Sequence, residues 1–506
     1  MLDANRDDFL LGIVGAGLMG RGIAQVAALG GVRVLLFDSR AEAAAEARDE
    51  LGRTLSMLAQ KGKITEAAAG AALARIGAAA GLDGLAGCHV VVEAIVESLE
   101  AKRELFRQLE AVVADDCLLA TNTSSLSVTA IAAACRAPQR VAGFHFFSPV
   151  PLMKVVEVVD GALTALAAGD ALTALARRMG HAPVRAQDTP GFIVNHAGRG
   201  YLTEALRVLG EGIADHARID RILRGAAGFR LGPFELLDLT GLDVSCPVME
   251  TIYHQYYEEP RYRPSPLLRQ RLAAGLLGRK SGRGFYAYAD GRAQFPAVPP
   301  VPPASMLPLW VGTPGCGARE GLLRRLEAGG ARLDRGTRPA PESVCIVLPV
   351  GRDASTAALD EGLDPARTVA VDPLFLDLYA TLMGTPLTTA SARDAVWAAL
   401  AGGGTEVTVI RDSAGFVAQR VVAMIVNIGC DIAQQRIATP QDIDRAVTLG
   451  LGYPLGPLAM GDALGGATVL AILDALHGFY RDPRYRPSPW LTRRARLGVS
   501  LLTPEP

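Results

Sequence analysis

The sequence predicts an α/β plus all-α protein. We expect a doubly wound parallel sheet, then a helical domain, a degenerate α/β unit and a second helical domain. Three observations predict this order: a glycine-rich turn at residues 15–20, strand-like runs alternating with helical stretches up to residue 187, and a helical segment that recurs 224 residues later. Strands that alternate with helices form parallel sheets, and a recurring segment indicates duplication.

Composition and charge exclude several classes of function. The chain has 506 residues, with 51 Lys and Arg against 52 Asp and Glu. This balance does not favour nucleic acid or an anionic membrane as a partner. The first residues, MLDANRDDFL, are polar and acidic, and no apolar run reaches the roughly 18 residues that a membrane span needs. We therefore expect a cytoplasmic protein without a signal peptide or a membrane partner.

The cysteines indicate a reducing compartment. No two of them have CxxC spacing, so the sequence predicts neither a metal site nor a disulfide framework. They lie at positions 88, 117, 135, 246, 316, 345 and 430.

The glycine-rich turn predicts a dinucleotide site. In FLLGIVGAGLMGRGIAQVAALGGVRVLLFD (residues 9–38), one apolar run precedes the turn, a helical pattern follows it, and a second apolar run ends in Asp38. Glycines with GxGxxG spacing allow a tight turn and a close approach to a pyrophosphate at the helix N-terminus, and the acidic residue accepts bonds from the ribose. Asp38 would also repel a 2′-phosphate, so NAD is favoured over NADP. The predicted cofactor-binding residues of the turn are Gly15, Ala16, Gly17, Leu18, Met19 and Gly20.

Further polar residues follow the predicted strands at residues 88–96, 117–126 and 140–147. Glu97, Asn122 with Ser124, and His145 stand at or near the ends of these runs. The carboxyl ends of parallel strands meet at one edge of a sheet, where ligands bind, so we expect these residues to gather there.

His145 stands within an apolar run, and Glu157 follows it within the next one. If the chain reverses through SPVP (148–151), the two side chains become neighbours. A carboxylate beside an imidazole fixes its tautomer and raises its basicity, as a general base requires. The pair therefore predicts acid–base chemistry beside the dinucleotide site.

Together these segments resemble the 3-hydroxyacyl-CoA dehydrogenase family over the first 290 residues. The resemblance rests on GAGLMGRGIAQVAA, VVEAIVESLEAKRELF, TNTSSL, GFHFFSPVPLMKVVEV and DTPGFIVN, and on the spacing between them. It implies an N-terminal Rossmann domain, NAD as cofactor and an acyl-CoA thioester as substrate. The activity it implies is NAD-dependent oxidation of a (3S)-3-hydroxyacyl-CoA to the 3-oxoacyl-CoA.

The resemblance also implies roles for individual residues. His145 would be the catalytic base and Glu157 its partner, while Ser124 and Asn195 would orient the substrate. The residues implied to contact the cofactor beyond the glycine turn are Asp38, Glu97, Lys102, Asn122 and Ser124.

The resemblance also implies a contact with CoA, and the sequence departs from the family pattern at one position. Thr54 and Lys61 lie on a helical stretch where the family contacts CoA, although Lys63 competes with Lys61 for that role. Ser148 stands where the family commonly has Asn. Both residue types cap or bond locally, so we expect a small adjustment and a retained activity.

The second half repeats the helical part of the first. Residues 188–287 and 412–495 share four blocks in the same order, including GFIVN against GFVAQ and RYRPSPLLR against RYRPSPWLTRR. Each copy carries an apolar face that must be buried. We therefore expect the two copies to pack on each other within the chain, which leaves open whether whole chains also form homo-oligomers.

The segment between the copies predicts a second, degenerate α/β unit. It contains strand-like runs but no GxGxxG, and Asp372 and Gln419 stand near the places of His145 and Asn195. The expected domains are an NAD-binding domain at 1–187, a helical domain at 188–294, a Pro-rich linker at 295–308, the degenerate unit at 309–411 and a second helical domain at 412–506.

This layout resembles the long bacterial members of the family that act on 3-hydroxyadipyl-CoA in phenylacetate breakdown. An alternative is a 3-hydroxybutyryl-CoA dehydrogenase, with the same chemistry and a shorter acyl chain. An alternative of another class is a non-catalytic subunit that binds NAD or acyl-CoA. The presence of His145, Glu157, Ser124 and Asn195 argues against this last hypothesis, because a protein that only binds these ligands does not need catalytic residues.

Overall fold

The computed structural model describes residues 2–312, 317–377 and 379–505, so Cys316 lies outside the described residues. Up to residue 197 the chain alternates strands with helices. These elements are β1 (Leu10–Val14), α1 (Leu18–Leu29), β2 (Arg33–Phe37), α2 (Ala43–Gln60), α3 (Glu66–Ala74), β3 (Ile76–Ala78), β4 (Val90–Glu93), α4 (Leu99–Val112), β5 (Leu118–Thr121), α5 (Val128–Ala132), β6 (Val141–Phe146), β7 (Val155–Asp160), α6 (Leu166–Arg178), β8 (Ala182–Gln187) and α7 (Val194–Ala197).

These strands form one sheet in the order β3-β2-β1-β4-β5-β6-β7-β8. Within the described residues its pairs are parallel, except the antiparallel pair of β6 and β7. The strand order reverses next to β1, which is the arrangement that makes a doubly wound sheet bind ligands at its carboxyl edge. The predicted sheet is confirmed.

Helices cover both faces of this sheet, because its strands are apolar on both sides. Ile13 and Val92 pack into one cluster with Leu172 of α6, whereas Val91 packs with Phe106 of α4 on the opposite face. Successive side chains of a strand point to opposite faces, so fully apolar strands such as β4 require two layers of helices.

A helical segment follows, and after it the Pro-rich linker and a second α/β unit. The elements are α8 (Arg199–Gly210), α9 (His216–Gly225), α10 (Pro233–Thr240), α11 (Leu242–Gln255), α12 (Pro266–Ala273), β9 (Ala287–Ala289), β10 (Arg292–Gln294), β11 (Leu309–Val311), α13 (Ala318–Ala328), β12 (Leu333–Asp334), β13 (Val344–Val347), α14 (Ala354–Asp360), β14 (Thr368–Val371), β15 (Tyr379–Gly384), α15 (Ala390–Gly402) and β16 (Glu406–Ile410).

The second sheet is smaller and has the order β12-β11-β13-β14-β15-β16. Its β14 and β15 are antiparallel, as β6 and β7 are in the first sheet. The chain ends with a second helical segment. Its helices are α16 (Ala418–Gln434), α17 (Pro440–Leu451), α18 (Pro457–Leu464), α19 (Gly466–Tyr480) and α20 (Pro489–Leu497).

The chain divides into two compact units. One comprises Met1–His196 with Gln435–Leu451, and the other comprises Ala197–Gln434 with Gly452–Pro506. Among the described residues no single helix is long and apolar enough to cross a membrane, although α18 and α19, bent by 95° at their junction, pass the same length and composition test as a pair.

The two helical copies pack on each other in the second unit, as expected. Helix α8 of the first copy lies against α16 of the second, and a Cβ on Gly200 would approach the Cα of Ile425 to 2.9 Å. Arg420 Nε donates to Glu204 Oε1 over 2.8 Å, and both side chains are fully buried. The sequence analysis did not anticipate that ion pair within an apolar interface.

One helix of each helical copy packs on the sheet that is more distant from that copy in the sequence. Helix α17 of the second copy packs on β7 and β8 in the first unit, and Gln187 N donates to Ile437 O just before α17, over 2.8 Å. Helix α9 of the first copy packs on β15 in the second unit, and Arg411 N donates to Ile213 O over 2.9 Å. Each sheet is therefore covered by a helix from the distant copy.

Candidate active site

His145 and Glu157 face each other in the antiparallel register of β6 and β7. His145 Nδ1 lies 2.6 Å from Glu157 Oε2, and both side chains are buried. The other oxygen, Glu157 Oε1, accepts from the backbone N–H groups of Ile193 and Val194 over 2.9 and 2.8 Å. A buried carboxylate needs such donors to stay charged. The arrangement fixes the imidazole and leaves its Nε2 as the nitrogen that can take a proton.

Ser124 and Asn195 lie beside each other. Asn195 Nδ2 donates to the carbonyl oxygen of Ser124 over 3.4 Å. Asn122 has a connecting role in this structure, since its Oδ1 accepts from Phe146 N over 2.8 Å and so ties the end of β5 to β6. The structure therefore brings Ser124, Asn195 and Asn122 together around the carboxyl ends of β5 and β6.

Glu97 holds the loop that carries Ser124. Its Oε1 accepts from the backbone N–H groups of Ser124 and Ser125 over 2.9 and 3.1 Å, and from the hydroxyl of Thr123 over 2.7 Å. Burial raises the pKa of Glu97, but the Lys102 ammonium and these hydrogen bonds outweigh burial, so the pKa is lowered overall. Glu97 is thus a charged anchor for the loop.

Lys102 is buried in an ion cluster. Its Nζ lies 2.5 Å from Glu93 Oε1 and 3.3 Å from Glu97 Oε2, and only 1% of its side chain is exposed. Glu93 also accepts from Thr121 Oγ1 over 2.6 Å. The sequence analysis missed Glu93, since a Glu at the end of an apolar strand shows no partner until the fold is known. A contact of Lys102 with the cofactor stays a prediction.

The glycine turn borders a cavity of about 640 Å³, with Gly15 and Gly17 in its lining. Gly15 has φ +106°, and a Cβ there would collide with the carbonyl of Ala94, so this turn requires glycine. Gly17 leaves open space where a Cβ would stand, which allows a close approach to a pyrophosphate. The side chain of Leu18 is exposed, Met19 is half-buried against the core, and Gly20 packs against Gly15.

Asp38 lines this cavity and also accepts a hydrogen bond from the backbone of the glycine turn. Its Oδ2 accepts from Ala16 N over 2.9 Å, and its Oδ1 accepts from Arg40 N over 3.0 Å. Burial opposes the charge of Asp38, yet the hydrogen bonds from Arg40 and Ala16 lower its pKa overall. Arg40, whose guanidinium lies 3.3 Å from Asp38, also lines the cavity and was missed by the sequence analysis.

Thr54 and Lys61 lie on and just after α2. Thr54 Oγ1 donates to the carbonyl of Glu50 over 3.0 Å, and Lys61 is exposed, as is Lys63. Among the described residues no recorded contact joins either Thr54 or Lys61 to His145 or Ser124. Their contact with CoA stays a prediction.

Comparison with known proteins decides the family. The chain matches the model of the 3-hydroxyacyl-CoA dehydrogenase NAD binding domain over residues 10–189. It matches the model of the C-terminal domain of the same family twice, over residues 191–288 and 415–500. The chain belongs to the 3-hydroxyacyl-CoA dehydrogenase family. It is an NAD-dependent oxidoreductase with 3-hydroxyacyl-CoA dehydrogenase activity.

Several members of the family are similar to this dehydrogenase. The 3-hydroxyadipyl-CoA dehydrogenase of Escherichia coli K12 is 38% identical over 96% of this chain and 97% of its own. The 3-hydroxybutyryl-CoA dehydrogenase of Bradyrhizobium diazoefficiens is 40% identical over 56% of this chain and 96% of its own. A crystal structure of 3-hydroxybutyryl-CoA dehydrogenase from E. coli K12 covers 97% of this chain and 99% of its own, with a TM-score of 0.85 and 36% identity.

Proposed function

We propose that this dehydrogenase oxidises (3S)-3-hydroxyadipyl-CoA to the 3-oxoadipyl thioester in phenylacetate catabolism. The observation that carries the proposal is the extent of the likeness to the E. coli protein of that name, which includes both α/β units and both helical copies. Relatives that end after the first helical copy match only about half of this chain. We also place the reaction in the cytoplasm, which the scattered cysteine spacing supports.

His145 would be the base of the reaction. With Nδ1–H donated to Glu157, Nε2 can accept the proton of the 3-hydroxyl group as the C–H bond at C3 breaks. The imidazolium that forms is stabilised by the Glu157 carboxylate, which two backbone N–H groups hold in place. A positioned base of this kind contributes roughly 10²–10⁴-fold to rate.

Ser124 and Asn195 would hold the hydroxyl and thioester region of the substrate in line. Their contact supports this role, because two polar groups fixed to each other can orient one ligand without further ordering. Glu97 would act on the substrate indirectly, through the loop of Ser124. Thr54 and Lys61 would contact CoA.

The residues of the glycine turn fit NAD. NAD, when bound, supplies the nicotinamide carbon that accepts the hydride. Gly15 and Gly17 would let the backbone approach the pyrophosphate, and Asp38 would accept hydrogen bonds from the adenosine ribose. The hydrogen bonds that Ala16 N and Arg40 N donate to Asp38 favour its charged form and hold the carboxylate in place at the cavity.

A second candidate is the oxidation of 3-hydroxybutyryl-CoA. The observation that favours it is the crystal structure of that name, which covers 97% of this chain with a TM-score of 0.85. The two candidates share the chemistry at C3 and differ in the acyl chain, which ends in a carboxylate only in the adipyl substrate.

A steady-state comparison tests these candidates. We would measure kcat/KM for C4, C6 and 3-hydroxyadipyl thioesters from the absorbance of the reduced nicotinamide. A preference for the adipyl thioester over the C6 thioester supports the proposal, and a preference for C4 supports the second candidate. No absorbance change with any thioester would favour a non-catalytic binding subunit.

A further inference from the structure

The second unit contains a cavity of about 900 Å³ that the dehydrogenase reaction does not use. Its walls come from α9, the Pro-rich linker, α15, and the strands β15 and β16. We call it the arginine cavity, after four arginines that line it together with Trp397. These are Arg218, Arg221, Arg393 and Arg411.

The positive charge of the arginine cavity exceeds its negative charge. Its lining includes two acidic residues, Asp215 and Asp412, against the four arginines. Asp215 caps the N-terminus of α9 by accepting from Arg218 N over 2.8 Å, and its Oδ2 lies 3.5 Å from Arg218 Nε, so these two charges offset each other. Asp412 is partly buried and accepts from Ala354 N and Ser355 N at the start of α14, over 2.7 and 3.1 Å. Such a surplus of fixed cations attracts anions.

Two of the arginines leave donors available. The Nε of Arg221 is buried and has no hydrogen-bond partner within the described part of the chain. A buried donor without an acceptor destabilises the protein, and a ligand oxygen that accepted from it would remove that penalty. Arg411 is exposed, and no ion pair of its guanidinium is recorded among the described residues. Among the residues that the structure describes, the one ion pair recorded for Arg393 is with its neighbour Asp394.

The rest of the lining suits a flat apolar group. Trp397, Val298 and Pro299 provide an aromatic face and two aliphatic ones. Arginine forks recognise phosphate through paired N–H donors, and aromatic faces stack on nucleobases. We propose that the arginine cavity binds the phosphorylated adenosine group found in CoA and in adenine nucleotides. Its volume is within the usual range for sites of small ligands.

Binding there would act on the second unit. The ligand would contact α9 of the first helical copy and β16 of the second sheet, and so stabilise their packing. Ligands that bind only the folded state raise its stability by an amount that grows with their concentration. The degenerate α/β unit would then be a sensor of CoA or nucleotide, independent of the catalytic residues in the first unit.

Titration of the full-length protein tests this site. With NADH saturating the dinucleotide site, ADP should bind at one further site per chain, as measured by calorimetry. The variant Arg393→Gln/Arg411→Gln should weaken this binding at least tenfold and keep kcat unchanged, because neither residue belongs to the catalytic site. The control is Arg332→Gln/Arg496→Gln, which removes two exposed arginines outside the cavity and should bind ADP normally.

Titrations with further ligands distinguish CoA from adenine nucleotides as the source of the phosphorylated adenosine group. CoA that binds at the same site more tightly than ADP and dephospho-CoA would identify the 3′-phosphate as a contact. ADP that binds as tightly as CoA would identify an adenine nucleotide site. The proposal is overturned if ADP shows no site under saturating NADH, if the cavity variant binds ADP normally, or if the control loses binding equally. An unchanged thermal unfolding transition and circular dichroism spectrum in both variants would show that the second unit is folded.

Discussion

The two α/β units have similar strand arrangements and helix caps. They differ in the side chains at the positions of the proposed catalytic residues. In the first unit Asp188 accepts from backbone N–H groups at the start of α5, and in the second unit Asp412 does the same at the start of α14. In both units an antiparallel strand pair follows. Strand β15 lies 224 residues after β7, so Thr381 stands at the position of Glu157.

His145 and Glu157, the proposed base and its partner, are both replaced in the second unit. Asp372 stands at the position of His145, and its backbone N donates to Thr381 O over 3.1 Å. The Asp372 side chain is fully buried, and its Oδ2 has no hydrogen-bond partner within the described residues. Burial raises the pKa of Asp372 to about 6, although hydrogen bonds from Gln419 and Leu374 oppose it.

Ser124 and Asn195, the proposed substrate-orienting residues, are replaced as well. Strand pairing places Val350 at the position of Ser124, and Gln419 corresponds to Asn195. Gln419 is buried, accepts from Gly351 N over 2.7 Å and donates to Asp372 Oδ1 over 2.9 Å. The comparison teaches that apolar strands and helix caps suffice to keep this fold. The four positions proposed to carry the chemistry can change without loss of the fold.

Truncation after about residue 295 should have the largest effect. It removes α17 from the first sheet and α16 from α8, which exposes two apolar surfaces. We expect a homodimer or an aggregate, detected by light scattering. Of these two outcomes the aggregate is favoured. A homodimer of the fragment would bury Glu204 without Arg420 and so leave a buried charge unpaired. A stable, monomeric 1–295 fragment would contradict the expectation that the first half of the chain needs α16 and α17 to cover its apolar surfaces.

His145→Gln should lower turnover roughly 10²–10⁴-fold with normal NAD binding, because the base is lost and the cofactor cavity is not touched. The matched variant Asp372→Asn should leave turnover unchanged. Stopped-flow absorbance of the reduced nicotinamide measures both. Comparable losses in the two variants would mean that the second unit takes part in catalysis, and near-normal turnover of His145→Gln would remove it as the base.

Asp38→Ala should weaken NAD binding roughly 10- to 100-fold, because a carboxylate that accepts charge-assisted hydrogen bonds is lost. Discrimination against NADP should relax as well, since the repelling charge is gone and Arg40 lies beside the site. Fluorescence titration with NADH and NADPH measures the ratio. An unchanged ratio would exclude Asp38 from cofactor selection.

Asp372→Asn should stabilise the protein at neutral pH by roughly 3 kcal/mol. The folded pKa of Asp372, about 6, lies above the ordinary value of 3.8, so the ionised form is disfavoured in the folded state. The cost is absent below pH 4, grows between pH 4 and 6 and is complete above pH 6. Urea denaturation at pH 4 and pH 7.5 measures it. An equal stability difference at both pH values would show that Asp372 does not titrate in this range.

Much of the candidate site could be predicted from the sequence because its signals are local. The turn from Gly15 to Gly20 is defined by backbone geometry within six residues, and His145 and Glu157 stand in two runs joined by a short reversal. Glu93 and Arg40 could not be recognised in the same way. Each is an ordinary charged residue until the fold brings Lys102 to one and the cofactor cavity to the other.

The sequence by itself determined the α/β and helical segments and the pairing of a His with a Glu, since these follow from apolar periodicity and spacing over a few tens of residues. It also determined the duplication, because the two copies share four blocks in the same order. Only the tertiary structure decided which copy covers which sheet. Helix α17 meets β7 and α9 meets β15 across more than 150 residues of chain in each case. It also decided the Arg420–Glu204 ion pair and the arginine cavity, because such contacts depend on where distant segments meet, which no local pattern encodes.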